Sequence, residues 1–448
     1  MKGKPGGTLL FVPLAIVLCS GIASAATYHV GGPTPTVACP APNASLDYAL
    51  TGGVTPGLAK TDDVSIECSL EFKTVTVKDV HAITVDGTLG GGIKTGGIGG
   101  TKLLAGVTTS SNVSCAAWGN ATSLVTLTAA TIEDQNANGG IVLRACGGVE
   151  IDQVGGSIVQ AGPSATTNIQ CYGTQCPINI EGAFFGGNAI RITSDGDMTI
   201  HNSNFEFTGG RPKIELFALH GNIFAGPGCD EENAVGFTCE QAGQQLTREF
   251  LCSQCGGCFG RNKFRGTIES NFRAFAEKDI DLSNSCIYIA ENIWIMADGR
   301  NPDGSDAPLL PGGWVINLGD AELRDDFGKT GTIKIYAHTN QIGSPLKNLG
   351  PDDFDKVTSA DGAINIDNGV FIDDGANGGG PDPQRVSDMN LGTNNQVGNC
   401  GEANVPPGSG IATCPLPFGG NDIPQRGWIA DPVERSNHNA LGVPRCDS

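Results

Sequence analysis

Ala189-Ile-Arg-Ile-Thr-Ser-Asp-Gly-Asp-Met-Thr-Ile-His-Asn-Ser-Asn-Phe-Glu-Phe-Thr208 decides the fold. Ile190 and Ile192 alternate with Arg191 and Thr193, and after the polar turn Ser-Asp-Gly-Asp the alternation resumes at Met198 and Ile200. Beyond Asn202-Ser203 it resumes again at Phe205 and Phe207. Period-two alternation over four or five residues, bounded by Gly, Asp or Asn, describes a half-buried strand and cannot be laid on one helix face. The order returns in Phe272-Arg-Ala-Phe-Ala-Glu-Lys-Asp-Ile-Asp-Leu-Ser-Asn-Ser-Cys-Ile-Tyr-Ile-Ala290. Three strands in about twenty residues is what one coil of stacked parallel strands requires, each coil burying its apolar side chains against the next.

Outward from these two stretches, short alternating segments recur on both sides. They include Val64-Ser65-Ile66-Glu67, Val75-Thr76-Val77-Lys78, Ala82-Ile83-Thr84-Val85, Leu124-Val125-Thr126-Leu127, Ile141-Val142-Leu143-Arg144 and Ile178-Asn179-Ile180. Ile293-Trp294-Ile295, Thr332-Ile333-Lys334-Ile335-Tyr336 and Ala363-Ile364-Asn365-Ile366 carry the pattern almost to residue 372. The 66 glycines therefore punctuate strands rather than mark disorder. The expected class is all-β, a right-handed parallel β-helix (solenoid). A β-sandwich uses the same strands but favours regular two-residue Asn-Gly or Asp-Gly hairpins between long strands.

The rhythm of strand, Gly-Asp or Lys-Asp turn, strand, Asn-Ser, strand resembles the coils of secreted pectate-lyase-like β-helices and of filamentous-haemagglutinin-like exoproteins. It covers about residues 60 to 372. Thr27-Tyr28-His29-Val30, a loop with Cys39, and a short helix over Leu46 to Leu50 with Ser45 as N-cap resemble the entry segment of such proteins. The resemblance implies either a structural exoprotein or a polysaccharide lyase or hydrolase.

The expected organisation is a signal peptide over 1–25, a cap over 26–60, a body over 61–372 and a loop-rich C-terminal cover or assembly arm over 373–448. Within the body, 228–262 reads as a disulfide-pinned insertion. Lys2, Lys4, the apolar run Leu9 to Val17 and Ala23-Ser24-Ala25-Ala26 have the basic, apolar, small-residue order of a secretory leader. That run is about half the length a membrane span needs, so no membrane span is expected. The predicted location is secreted, extracellular or cell surface.

With 27 basic against 47 acidic residues the net charge is −20. Such a surface repels nucleic acid and acidic lipid and attracts divalent cations. Sixteen cysteines, less Cys19 in the leader, leave an odd fifteen. Cys39, Cys68, Cys115, Cys146, Cys171, Cys176, Cys229, Cys239, Cys252, Cys255, Cys258, Cys286, Cys400, Cys414 and Cys446 read as disulfide partners in an oxidising compartment, with one thiol over. Cys252, Cys255 and Cys258 also have a spacing at which thiolates can converge on a metal, but export favours disulfides.

The six histidines form no metal-binding spacing, although His201 and His220 could stack as neighbours. Paired acids such as Asp62-Asp63, Asp325-Asp326, Asp352-Asp353 and Asp373-Asp374 are the resource for a glycosidase, which needs two carboxylates about one bond. Calcium is the cofactor the acids could hold, with Asp303, Asp306, Asp352, Asp353, Asp355, Asp373 and Asp374 as oxygen donors. The five tyrosines and four tryptophans leave few platforms for sugar rings. The expected function is a self-associating structural or surface protein, an adhesin or fibre subunit, touching extracellular polysaccharide or surfaces; the alternative is a lyase or glycoside hydrolase.

Overall fold

A computed structural model of the chain describes residues 26–40, 43–51, 59–106, 115, 122–152, 156–207, 213–226, 262–266, 270–283, 285–289 and 291–297, with short segments between Val315 and Thr413. The structure is all-β with long parallel sheets, and its one described helix is the 3-10 turn Gly87–Leu89. One sheet has 13 strands and the other 20. The larger sheet is two ladders joined by the long strand Ser69–Val80. Its Ser69 to Phe72 part pairs with Gly92–Thr95 and its Val75 to Val80 part with Thr101–Ala105.

Three parallel ladders result, and from Asp63–Glu67 to Gln396–Asn399 the described strands visit them in a fixed order. Met198–His201 lies in the first, Asn204–Phe207 in the second and Lys213–Ala218 in the third; Ile223–Phe224 then returns to the first, against Met198 and Thr199. The two stretches 189–208 and 272–290 sit in these ladders. Ala189–Ser194 pairs with Lys213–Ala218, which pairs with Asn271–Ala276. Strand therefore follows strand at the third position on, which only crossover connections can achieve.

Register explains the alternation. Ile83, Val125, Val149, Ile178, Met198, Ile223, Ile280 and Ile316 follow one another across the first ladder, all buried. Leu70, Ile93, Ile132, Val159, Phe185, Phe205, Phe264 and Ile287 form the corresponding row of the second. Within it Phe185 stacks on Phe205 at 4.7 Å between centroids, and Phe205 on Phe264 at 4.8 Å. Those spacings match the distance between hydrogen-bonded strands, so identical rings in register stack without adjusting the backbone. All three ladders contribute to one hydrophobic cluster running from Val30 to Ala337.

The corners between the first and second ladders are closed by buried polar side chains. Ser157 Oγ accepts from Ala130 N at 3.1 Å, and Ser203 Oγ accepts from Ala183 N at 3.2 Å. Asn262 donates through Nδ2 to the carbonyls of Ile200 and Ala225, both at 2.7 Å, and accepts from Ser203 N at 2.9 Å. Turn groups that the strands leave unpaired thus find partners on the neighbouring turn, which a buried corner requires.

The N-terminal region departs from expectation. Leu46 to Leu50 is not a Ser45-capped helix but part of the strand Asn43–Thr51, whose Asp47 to Thr51 run beside Thr74 to Lys78. Tyr48 stacks on Phe72 at 4.8 Å. A five-residue helix is too short to hold itself in water, and the ladder pairs every second side chain with an existing core. Residues Gly32 to Cys39 fold back over the first strand: Val37 bridges Val30, and Gly31 N donates to Val37 O at 2.9 Å. In the region expected to be loops, Met389–Asn390, Gln396–Asn399 and Ala412–Thr413 continue the ladders. Two to four residues suffice for a rung, too few to register as alternation. Most of the expected insertion over 228–262 lies outside the described residues, as does the expected leader over 1–25.

Candidate functional site

The outward row of the third ladder places Arg191, Glu215, Arg273 and Trp294 in register on successive strands. Glu215 lies between the two guanidiniums, 3.5 Å from Arg191 Nε through Oε2 and 3.1 Å from Arg273 NH1 through Oε1. Arg191 also stands over the ring of Phe217 at 4.8 Å, and Arg273 over Trp294 at 4.9 Å. The next outward row, Phe217, Phe275, Met296 and Tyr336, joins Trp294 in a second buried apolar cluster. Arg273 is only 8% exposed, and burial lowers its pKa while Glu215 opposes the shift. Charges this committed and rings this buried clamp rungs together. They do not offer an open groove with sugar platforms.

Three of the described histidines bridge neighbouring rungs to carboxylates. His29 Nδ1 meets Glu67 Oε1 at 2.5 Å, and Ser65 Oγ donates to the same oxygen at 2.9 Å. His81 Nδ1 meets Asp63 Oδ1 at 2.8 Å, while its Nε2 lies 3.0 Å from Thr122 Oγ1. His220 Nδ1 meets Glu277 Oε2 at 3.0 Å, with Asp195 at 3.8 Å from Nε2. His220 therefore stacks on the acids of adjacent turns. His201, at the end of Met198–His201 in register with Glu181, is pushed down to a pKa of about 4 by burial.

Six of the described aspartates serve turns. Asp62 accepts from Ala26 N at 3.0 Å and Ala59 N at 2.6 Å, so of the Asp62-Asp63 pair only Asp63 turns to a histidine. Asp86 caps the 3-10 turn through Thr88 N and Leu89 N. Asp134, whose pKa burial raises, accepts from Asn136 N at 2.8 Å. Asp195 accepts from Gln175 N at 3.0 Å, Asp197 from Asn222 N at 2.8 Å and Asp281 from Ser283 N at 2.9 Å. A carboxylate that accepts a turn's N–H does the work of a cap, which accounts for these six without two acids converging on one bond.

Of the calcium candidates, Asp303, Asp306, Asp352, Asp353, Asp355 and Asp374 lie outside the described residues. Asp373 ends the strand Val370–Asp373, in register with Asp325, the position Ile289 occupies one rung earlier. Among the described residues no group of three or more His, Cys, Asp or Glu is arranged to hold a metal.

The cysteines pair across rungs and turns: Cys39 with Cys68, Cys115 with Cys146, and Cys171 with Cys176, while Cys286 is also disulfide-bonded. Cys229, Cys239, Cys252, Cys255, Cys258, Cys400, Cys414 and Cys446 lie outside the described residues. Three cystines suit an oxidising, extracellular setting. Cys39–Cys68 spans 29 residues and pins the fold-back segment over the first strand. Replacing both by alanine should lower the unfolding free energy by about 3 kcal/mol and speed amide exchange from Thr27 to Gly31. An unchanged denaturation midpoint and unchanged exchange would show that the cystine holds nothing.

The fold and these contacts define a class: an all-β, parallel-sheet, disulfide-bonded protein in which no described helix is long and apolar enough to cross a membrane. No family profile, curated protein or solved structure matches the chain.

Proposed function

We propose that this chain is an extracellular structural or surface protein whose ladders wind as a right-handed β-helix and whose copies associate with one another. The observation that carries the reading is the commitment of its polar chemistry: the ion pairs and the turn acids named above tie rung to rung or close turns. Cyclic visiting of three ladders about one core supports the winding. The right-handed sense follows from the strong preference of parallel crossovers. Strand edges at the two ends of such a stack are the natural contacts between copies, and a net charge of −20 keeps the flanks apart. The surfaces such a protein would meet are extracellular polysaccharide or other copies, with divalent cations such as calcium screening the acids.

The test is light scattering with non-reducing electrophoresis at micromolar concentration, with and without calcium, alongside electron microscopy of material from the native source. Concentration-dependent elongated assemblies are expected. A compact monomer in every condition, with no filaments in native material, would overturn the reading and return weight to a secreted carbohydrate-active enzyme.

A further inference from the structure

We propose that Asp63, His81 and Thr122 form a carboxylate–imidazole–hydroxyl relay through which Thr122 accepts an acyl group from an activated ester. The relay is assembled by three consecutive rungs of the first ladder. Asp63 opens the strand Asp63–Glu67 and is in register with Ala82, so His81, the residue before Ala82, stands beside it. Thr122 precedes Leu124–Thr128, which pairs with Ala82–Asp86 on the other side. The backbone at His81 is held as well, its N–H donating to Asp62 O at 2.8 Å.

The geometry orders the protons. Asp63 Oδ1, 2.8 Å from His81 Nδ1, accepts the hydrogen from that nitrogen and so favours the tautomer whose Nε2 lone pair is free. Thr122 Oγ1, 3.0 Å from Nε2, then donates to it. This is the arrangement that makes a hydroxyl nucleophilic, recognised by roles and distances rather than by chain order. The group is within reach of a ligand: His81 is 27% exposed, Asp63 37%, and Thr122 is exposed. Among the described residues, neither His29 beside Glu67 nor His220 beside Glu277 holds a hydroxyl on its second imidazole nitrogen, which sets this group apart.

In the step itself Thr122 Oγ1 attacks the ester carbonyl carbon and its proton passes to His81 Nε2. The tetrahedral intermediate collapses, the bond to the leaving oxygen breaks, and that oxygen leaves with the proton from Nε2 or as a stabilised anion with the proton lost to water. The product is an acyl ester on Thr122, with no change in oxidation state. Water activated by the same nitrogen can return the free hydroxyl and a carboxylic acid. A relay manages protons but does not by itself stabilise an oxyanion, so the matching substrate class is an ester with a good leaving group.

The probe is p-nitrophenyl acetate on the intact disulfide-bonded protein, read by nitrophenolate release and by peptide mass spectrometry. Acetyl should appear on Thr122 ahead of the exposed Thr36. Labelling should fall roughly a hundred-fold in His81→Gln, fall in Asp63→Asn, vanish in Thr122→Val and persist in Thr122→Ser. The comparison of Thr122 with Thr36 is made on the unmodified protein, a readout that does not depend on any variant folding. Labelling of Thr122 no faster than Thr36, or undiminished labelling in folded His81→Gln, would overturn the proposal. The relay is independent of the structural role, so its failure leaves the assembly test untouched.

Discussion

Phe205→Ala lowers the unfolding free energy by about 3–5 kcal/mol, a large fraction of a domain's whole stability. Phe205 is fully buried and stacked face to face with Phe185 on one rung and Phe264 on the next. Truncation removes the transfer free energy of one ring and opens a cavity between two others. The flanking strands are hydrogen-bonded to each other through Phe184–Gly187, Asn204–Phe207 and Lys263–Gly266, so they cannot collapse inward to fill it. Phe205→Leu should recover part of the loss, because most of the volume returns without the stacking. Urea unfolding of the three proteins measures this. A loss below about 1 kcal/mol for alanine would mean that the ring is not between its neighbours.

The second large effect is acid sensitivity from His201. Burial holds its pKa at about 4 in the folded chain, against 6.5 when exposed. The unfolded chain therefore binds this proton more readily than the folded one. Stability contributed by the neutral imidazole is complete above pH 6.5 and is lost as the pH falls toward 4, below which both states are protonated. The span corresponds to about 3 kcal/mol as an upper bound, since the residue keeps some accessible surface. In His201→Gln this part of the acid loss should disappear, leaving the slope due to the carboxylates. Denaturant midpoints at pH 7.5, 5.5 and 4 for both proteins decide it; parallel pH profiles would mean that His201 titrates normally.

The ladders were legible because the side chains that fill them obey the strictest local rule available. Ile190, Ile192, Met198, Ile200, Phe205 and Phe207 all point inward on period two, and each predicted segment of that stretch is a strand. Leu46 to Leu50 misled because five residues with a serine ahead of them satisfy a cap rule as well as a strand rule, and only the pairing with Thr74 to Lys78 chooses. The second apolar cluster was hidden for a related reason. Phe217, Phe275 and Met296 each follow an inward residue, so they read as breaks in alternation until register stacks them into a row.

The site was less legible than the fold. Asp63 was visible as half of an acidic pair, yet nothing local separates it from Asp62, which spends both oxygens on backbone amides. His81 and Thr122 are separated by 41 positions and Asp63 and His81 by 18. Such contacts come from the number of residues between neighbouring strands of one ladder, which differs from step to step. The cysteine pairings had the same obstacle: residue types and compartment imply disulfides, whereas partners depend on which turns stack.

Spin-label distances along one ladder test the central claim, a stack of parallel strands in a single register, most directly. Thr84, Thr126, Glu150, Asn179 and Thr199 are successive partners, so labels at Thr84 and Thr199 are four strand spacings apart. Ser65 pairs with Thr84, and Thr199 pairs with Phe224, so labels at Ser65 and Phe224 are six spacings apart. At about 4.8 Å per step the two pairs should give separations near 19 Å and 29 Å, in proportion to the number of rungs. Equal distances, or a longer one for the Thr84 and Thr199 pair, would contradict the stack.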